Sequence, residues 1–298
     1  MTDMPRALRR VPPGVTFLAV AAAVLVSGVV LAPLVARVLP YPFPRVLSRV
    51  LMIEAILAVF VFVRVRREMV VRFGLAWMPG SGRQMWTGFV AGLAGLVLFS
   101  VVSVTVGNAV LAPRHVGWTG WAGRIGMGLM TSILVGGLEE FFFRGFVFTW
   151  VQDRLFGGRA LPAAMAASVA YAVIHFLHPQ QSTISATPGV ADSVRLILAP
   201  LQSLADWPSR WPAGVGLLLF GLVLNYCRIR TGALYPSIGL HAGCVAFLQV
   251  SGLFLRFGPT GGLLWSTKLV YDGAVCWLFL LLIGLALTAR AGRAEPVA

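Results

Sequence analysis

Leu134-Val135-Gly136-Gly137-Leu138-Glu139-Glu140-Phe141-Phe142-Phe143-Arg144 is the stretch on which the fold turns. It lies inside an apolar run from about 122 to 150 that is long enough to cross a bilayer, which takes roughly 17–25 helical residues. Two adjacent carboxylates at bilayer depth are costly, so they mark a functional site by default. The run is long for one span, and a tilt or a break near Gly136-Gly137 is expected.

The rest of the chain agrees with a membrane reading. Of 298 residues, 58% are hydrophobic and only 11% charged, against roughly 25% charged in an ordinary soluble domain. Mean hydropathy is +0.85. Apolar runs at about 15–35, 46–63, 85–110, 122–150, 161–177, 211–227, 233–255 and 269–288 give about eight transmembrane helices. The expected fold class is therefore an all-α polytopic membrane protein. No stretch remains for a separate soluble domain of roughly 50 residues or more, so residues 1–298 read as one transmembrane domain.

The net charge of +14 does not point to nucleic acid, because the arginines punctuate the ends of hydrophobic runs and form no single patch. The densest group, Arg64, Arg66, Arg67 and Arg72, suits anionic lipid heads at the membrane surface, so membrane lipids are an expected partner. More of the Lys and Arg residues fall at ends sharing the side of Arg6, Arg9 and Arg10, which puts both termini in the cytoplasm. Those three arginines before an apolar run imitate a signal peptide, yet a run of about 20 residues suits a retained first helix. Cys227, Cys244 and Cys276 have no CxxC spacing and read as packing residues.

Between His178 and Arg210, Pro179, Pro188, Pro200 and Pro208 rule out one continuous helix. A short interfacial helix is expected there, capped by Asp192 or Ser193, with Val194, Ile197, Leu198 and Leu201 on its apolar face. The residues after Arg290 read as a short disordered tail.

His175 and His241 also lie within apolar spans. Counted from the proposed cytoplasmic ends at about 1.5 Å per residue, Glu139, His175 and His241 lie roughly 16, 21 and 12 Å deep. Distant residues at one level can meet. Glu140 and Arg144 are four apart on one helical face and can pair, whereas Glu139 points about 100° away and is freer to act as a base. Each of these residues alone is as easily a structural ion pair or a hydrogen-bonded core histidine; together they fit that reading poorly. Glu54 is a further buried carboxylate, for which pairing with an arginine is the plainer expectation. Gly239-Leu240-His241-Ala242-Gly243 is a small-xxx-small pattern that admits another backbone close to His241.

Glu139-Glu140-x-x-x-Arg144, Tyr171-x-x-x-His175 and His241 within Tyr235-Pro236-Ser237-Ile238-Gly239-Leu240-His241-Ala242-Gly243 resemble, in order and spacing, the CPBP intramembrane proteases. That family includes the type II CAAX prenyl endopeptidases and their bacterial relatives. The likeness covers roughly 125–250. It implies an eight-helix fold, location in a bacterial inner membrane, and hydrolysis of a peptide bond in a membrane-associated protein or peptide. By position, Glu139 activates water with help from His175, His241 polarises the carbonyl or stabilises its oxyanion, and Glu140 and Arg144 support them.

Two positions depart from the family pattern. Val245 stands where Asn is usual, and losing one oxyanion donor typically costs about 10²–10³ in rate; Asn225 and Gln249 are the candidate replacements. Tyr171 stands where Phe is common, which adds a hydroxyl. Metal dependence is open: Glu139, His175 and His241 are a possible zinc set, but a ligated glutamate cannot easily also be the free base, and the reading leans to no cofactor. Two other readings stand beside the protease: a non-catalytic membrane partner or immunity-type protein of the same fold, and a proton-coupled transporter. The transporter predicts paired repeats, and the sequence shows none.

Overall fold

The computed structural model describes residues 13–63, 67–176, 184–203, 207–258, 263–267 and 269–290. Eight long helices correspond one for one to the expected spans. They are α1 (Pro13–Ala36), α2 (Phe43–Val63), α4 (Ser81–Thr105), α5 (Trp118–Glu140) with its continuation, α7 (Ala160–Phe176), α9 (Trp207–Thr231), α10 (Tyr235–Ser251) and α11 (Ala274–Arg290). Shorter helices α3 (Arg67–Arg72), α6 (Phe148–Arg154) and α8 (Val190–Ser203) complete the set. Among the described residues, four helical stretches are long and apolar enough to cross a membrane by themselves: Ala19–Ala36, Ser81–Thr105, Trp118–Arg154 and Arg210–Thr231. The protein is an all-α polytopic membrane protein. The third span ends earlier than expected, at Thr105, because Ala109–Leu111 is drawn into a two-stranded antiparallel sheet with Leu255–Phe257, Val110 facing Arg256.

The helices sort into two packed units. One holds α1, α2 and α8, with Ala32, Phe43, Leu47 and Leu196 at its centre. On α8, Asp192, Ser193, Leu196 and Ala199 are buried and Ile197 packs against the centre, while Val194 and Leu198 are exposed; the side chain of Leu201 lies outside the described residues. Asp192 lies in the first turn and accepts the backbone N–H of Gly189 at 2.9 Å and the Ser185 hydroxyl at 3.1 Å. The Gly189 amide, with Ser185, holds the Asp192 carboxyl below its ordinary range. An acidic residue reaching back from the third helical position is half of a capping box, and burying that turn selects the face. Glu54 keeps Oε2 buried with no hydrogen-bond partner among the described residues. Arg6, Arg9, Arg10, Arg64, Arg66 and the tail after Arg290 lie outside the described residues.

The second unit holds the rest, and its spine is the crossing of α4 with α10. Gly88 and Gly92 on α4 face the carbonyls of Pro236 and Leu240, and Gly239 and Gly243 on α10 face those of Met85 and Phe89. A Cβ at any of the four would lie closer to a backbone oxygen than real side chains come. Lipid tails give helices no hydrophobic reason to associate, so such close backbone approach supplies the van der Waals contact that holds them. Next to this seam, Leu96, Phe99, Leu224, Cys227, Leu240, Cys244, Phe247 and Cys276 form the apolar core. All three cysteines are free and buried, as packing residues should be.

The helix carrying the carboxylates is not broken at Gly136-Gly137. Gly136 packs against Ala242 of α10, 3.1 Å from its backbone nitrogen to the position a Cβ would take. The irregularity comes just after the glutamates, where Phe141–Val147 is π-helical and the Phe148 N–H reaches back five residues to the Phe143 carbonyl. Phe73 makes edge-on contacts with Phe141 and Phe146, at 6.1 and 6.3 Å between centroids, over the space left by Gly145.

Gly243→Ala is expected to lower the melting temperature of the detergent-purified protein, overpacking of this kind costing about 1–3 kcal/mol. Gly137→Ala, whose Cβ would meet nothing within 4 Å, should leave it unchanged. Equal melting of the two variants would remove the seam from the account of stability.

Candidate active site

Glu139 and Glu140 end α5, His175 ends α7, and His241 sits in the second turn of α10. Being neighbours on a helix, the two carboxylates point in different directions and enter different bonds.

Glu140 is committed. Its Oε1 lies 3.0 Å from Arg144 Nη1 and 2.8 Å from His241 Nδ1. Both Glu140 and Arg144 are fully buried. The guanidinium is also covered by the Tyr171 ring, 4.2 Å from Cζ to centroid, a cation–π contact of the kind strengthened by desolvation. With the arginine charge beside it Glu140 is an acceptor, so His241 donates through Nδ1–H and its Nε2 is turned away from Glu140.

That nitrogen faces Glu139. Glu139 Oε2 stands 3.8 Å from His241 Nε2 and 3.1 Å from His175 Nε2. The other nitrogen of His175, Nδ1, is 2.9 Å from the Tyr171 carbonyl. A carbonyl only accepts, so Nδ1 carries a proton and a single shared proton joins Nε2 to Glu139.

Glu139 and His175 keep about a fifth of their side-chain surface exposed (21% and 23%), His241 only 4%. Access is therefore from the Glu139–His175 side. Aromatic rings pack the rest: Phe220 meets His241 edge-on at 5.3 Å, and Phe143 meets Tyr171 at 5.1 Å.

The structure thus brings Glu139, Glu140, Arg144, His175 and His241 into one cluster. It places the two candidate oxyanion donors elsewhere. The Asn225 amide donates to Ser168 Oγ at 2.9 Å and to the Gly221 carbonyl at 3.1 Å, and Gln249 lies exposed near Gly128. Both are polar residues on helices of the bundle, but their faces are turned away. Tyr171 is the residue whose importance its sequence position understates, since it touches Arg144, His175 and His241 at once. The signal was its spacing, one turn before His175 on the same face.

Among the described residues no three His, Cys, Asp or Glu side chains are grouped to hold an ion, and Glu139 Oε2 is at hydrogen-bond distance from His175 Nε2.

Residues 120–247 match the model of the Rce1-like family, the type II CAAX prenyl endopeptidases. Over this segment the chain resembles the Rce1-like family. The segment contains every member of the cluster, and the family it resembles is one of CAAX-type intramembrane proteases. No curated protein and no solved structure gives a significant match to the chain.

Truncating one partner of a fully buried ion pair costs about 3–5 kcal/mol because the other charge is stranded. Arg144→Leu should therefore destabilise the purified protein on that scale, and Arg144→Leu with Glu140→Leu should lose less than the sum of the two single changes. Additive losses in thermal unfolding would mean that the pair is not coupled.

Proposed function

We propose that this chain is a glutamate-based intramembrane endopeptidase whose substrate is a membrane-embedded or membrane-associated polypeptide. The observation that carries this is the asymmetry of the two carboxylates. Glu140 is locked to Arg144, whereas Glu139 offers one oxygen to the Nε2 atoms of two histidines.

A water bound between Glu139 Oε2 and His241 Nε2 loses a proton to Glu139 as its oxygen attacks the scissile carbonyl carbon. The carbonyl π pair moves onto oxygen, where protonated His241, held through Nδ1–H by Glu140, donates through Nε2–H. Collapse of the tetrahedral intermediate breaks the C–N bond. The proton first taken from water passes from Glu139, through the hydrogen bond shared with His175, to the departing amine. Glu139 works here as a base.

Convergence of the ionisable groups on one cluster favours hydrolysis over transport, for which they would be strung along a path. Val245, an aliphatic residue one turn after His241, favours the second reading, a non-catalytic membrane partner of the same fold.

General acid–base groups of this kind contribute about 10²–10⁴-fold each. Glu139→Gln, His175→Ala and His241→Ala should each abolish processing while the protein still inserts. Quantitative membrane proteomics of cells carrying wild type or Glu139→Gln is expected to show a precursor accumulating in the variant. Identical membrane proteomes would overturn the protease reading in favour of the non-catalytic one.

A further inference from the structure

A tetrahedral oxyanion is best held by two donors, and the cluster supplies one obvious donor, His241 Nε2. Asn225 is bonded to α7 and to its own helix, Gln249 lies outside the cluster, and position 245, one turn beyond His241, is a half-buried valine. Besides Arg144, whose Nε and Nη2 are buried without a hydrogen-bond partner among the described residues, Tyr171 brings a donor to the cluster.

Tyr171 is 2% exposed. Its ring is fixed on several sides: Arg144 lies over one face, the His175 ring is 4.0 Å away between centroids, and the His241 ring is 6.3 Å away at 85°. Phe143 and Phe220 fill further positions around it, at 5.1 and 6.4 Å. A buried tyrosine hydroxyl normally finds a partner. The Tyr171 hydroxyl makes no hydrogen bond to a described residue and lies within electrostatic range of Glu139, Arg144, Glu140 and Tyr271. An aromatic packing role would be served equally by phenylalanine, which brings no O–H to the ring contacts with Arg144, His175 and His241.

We infer that the Tyr171 hydroxyl is the second oxyanion donor of this site, giving a hydrogen bond to the carbonyl oxygen as negative charge develops on it. The inference rests on the protease reading above. No proton is transferred: the O–H stays on tyrosine, and the bond strengthens as the carbonyl π pair moves to oxygen. Arg144 against the ring face holds the phenol in place, so the donor is pre-oriented and its reorganisation costs little. A valine at position 245 is then tolerated because the donor comes from α7 and not from the turn after His241.

The test uses the full-length protein in its own membrane, with the membrane proteome as the probe. Pulse-labelled cells carry wild type, Glu139→Gln, Tyr171→Phe, or Tyr171→Phe combined with Val245→Asn. Removing one oxyanion donor costs about 10²–10³-fold. Tyr171→Phe at wild-type abundance should lengthen the half-life of the precursor that accumulates in Glu139→Gln by about that factor. A carboxamide placed one turn after His241 should recover at least about tenfold of the loss, which a tyrosine needed only for packing would not allow. A Tyr171→Phe half-life equal to wild type, or a loss that Val245→Asn does not relieve, overturns the oxyanion role and leaves the protease reading standing. A proteome in which Glu139→Gln accumulates nothing overturns both.

Discussion

A carboxylate and a guanidinium with no exposed surface are the constraint on which the unit around α4, α5, α7 and α10 depends. Glu140 Oε1 accepts from Arg144 and from His241 together, so one oxygen atom ties α5, its π-helical continuation and α10 at a single point. Neither charge could be left in an apolar interior by itself. The pair therefore fixes which face of α10 turns inward and, through Nδ1, which nitrogen of His241 is presented to Glu139. Tyr171 closes the same knot from α7 by covering the guanidinium and offering its carbonyl to His175. What makes the cluster chemically useful is that all this fixing is done on Glu140, and Glu139 is spared.

The glycine seam between α4 and α10 sets the precision of that arrangement. Because Gly239 and Gly243 flank His241 by two residues on either side and admit the α4 backbone, the helix bearing the imidazole is pressed against its neighbour where displacement would matter most. Site geometry of this kind must be held within about half an ångström to be productive. The residues that do so are the smallest in the chain, and they contribute no functional group.

The spans were legible because crossing a bilayer demands an apolar length that few other structures need, and the five clustered residues were legible because charge at depth is rarely accidental. What a sequence conveys poorly is direction around a helix axis. Asn225 and Gln249 are polar residues of the bundle, yet azimuth turns one toward Ser168 and the other out of the cluster. The irregularity after Glu140 was not foreseen either, because a glycine pair is an obvious place for a break and a run of phenylalanines is not. Phe73, far away in sequence, packs over Gly145 within that stretch.

The widened turn at Phe141–Val147 amounts to an α-helix accommodating one surplus residue. Excising that residue would heal the helix and swing everything before it by about 100° relative to everything after it, parting the glutamates from the imidazoles while barely altering hydropathy. Chains of this architecture can therefore gain or lose a working centre through a single-codon insertion or deletion, with no exchange of any acid, base or cation.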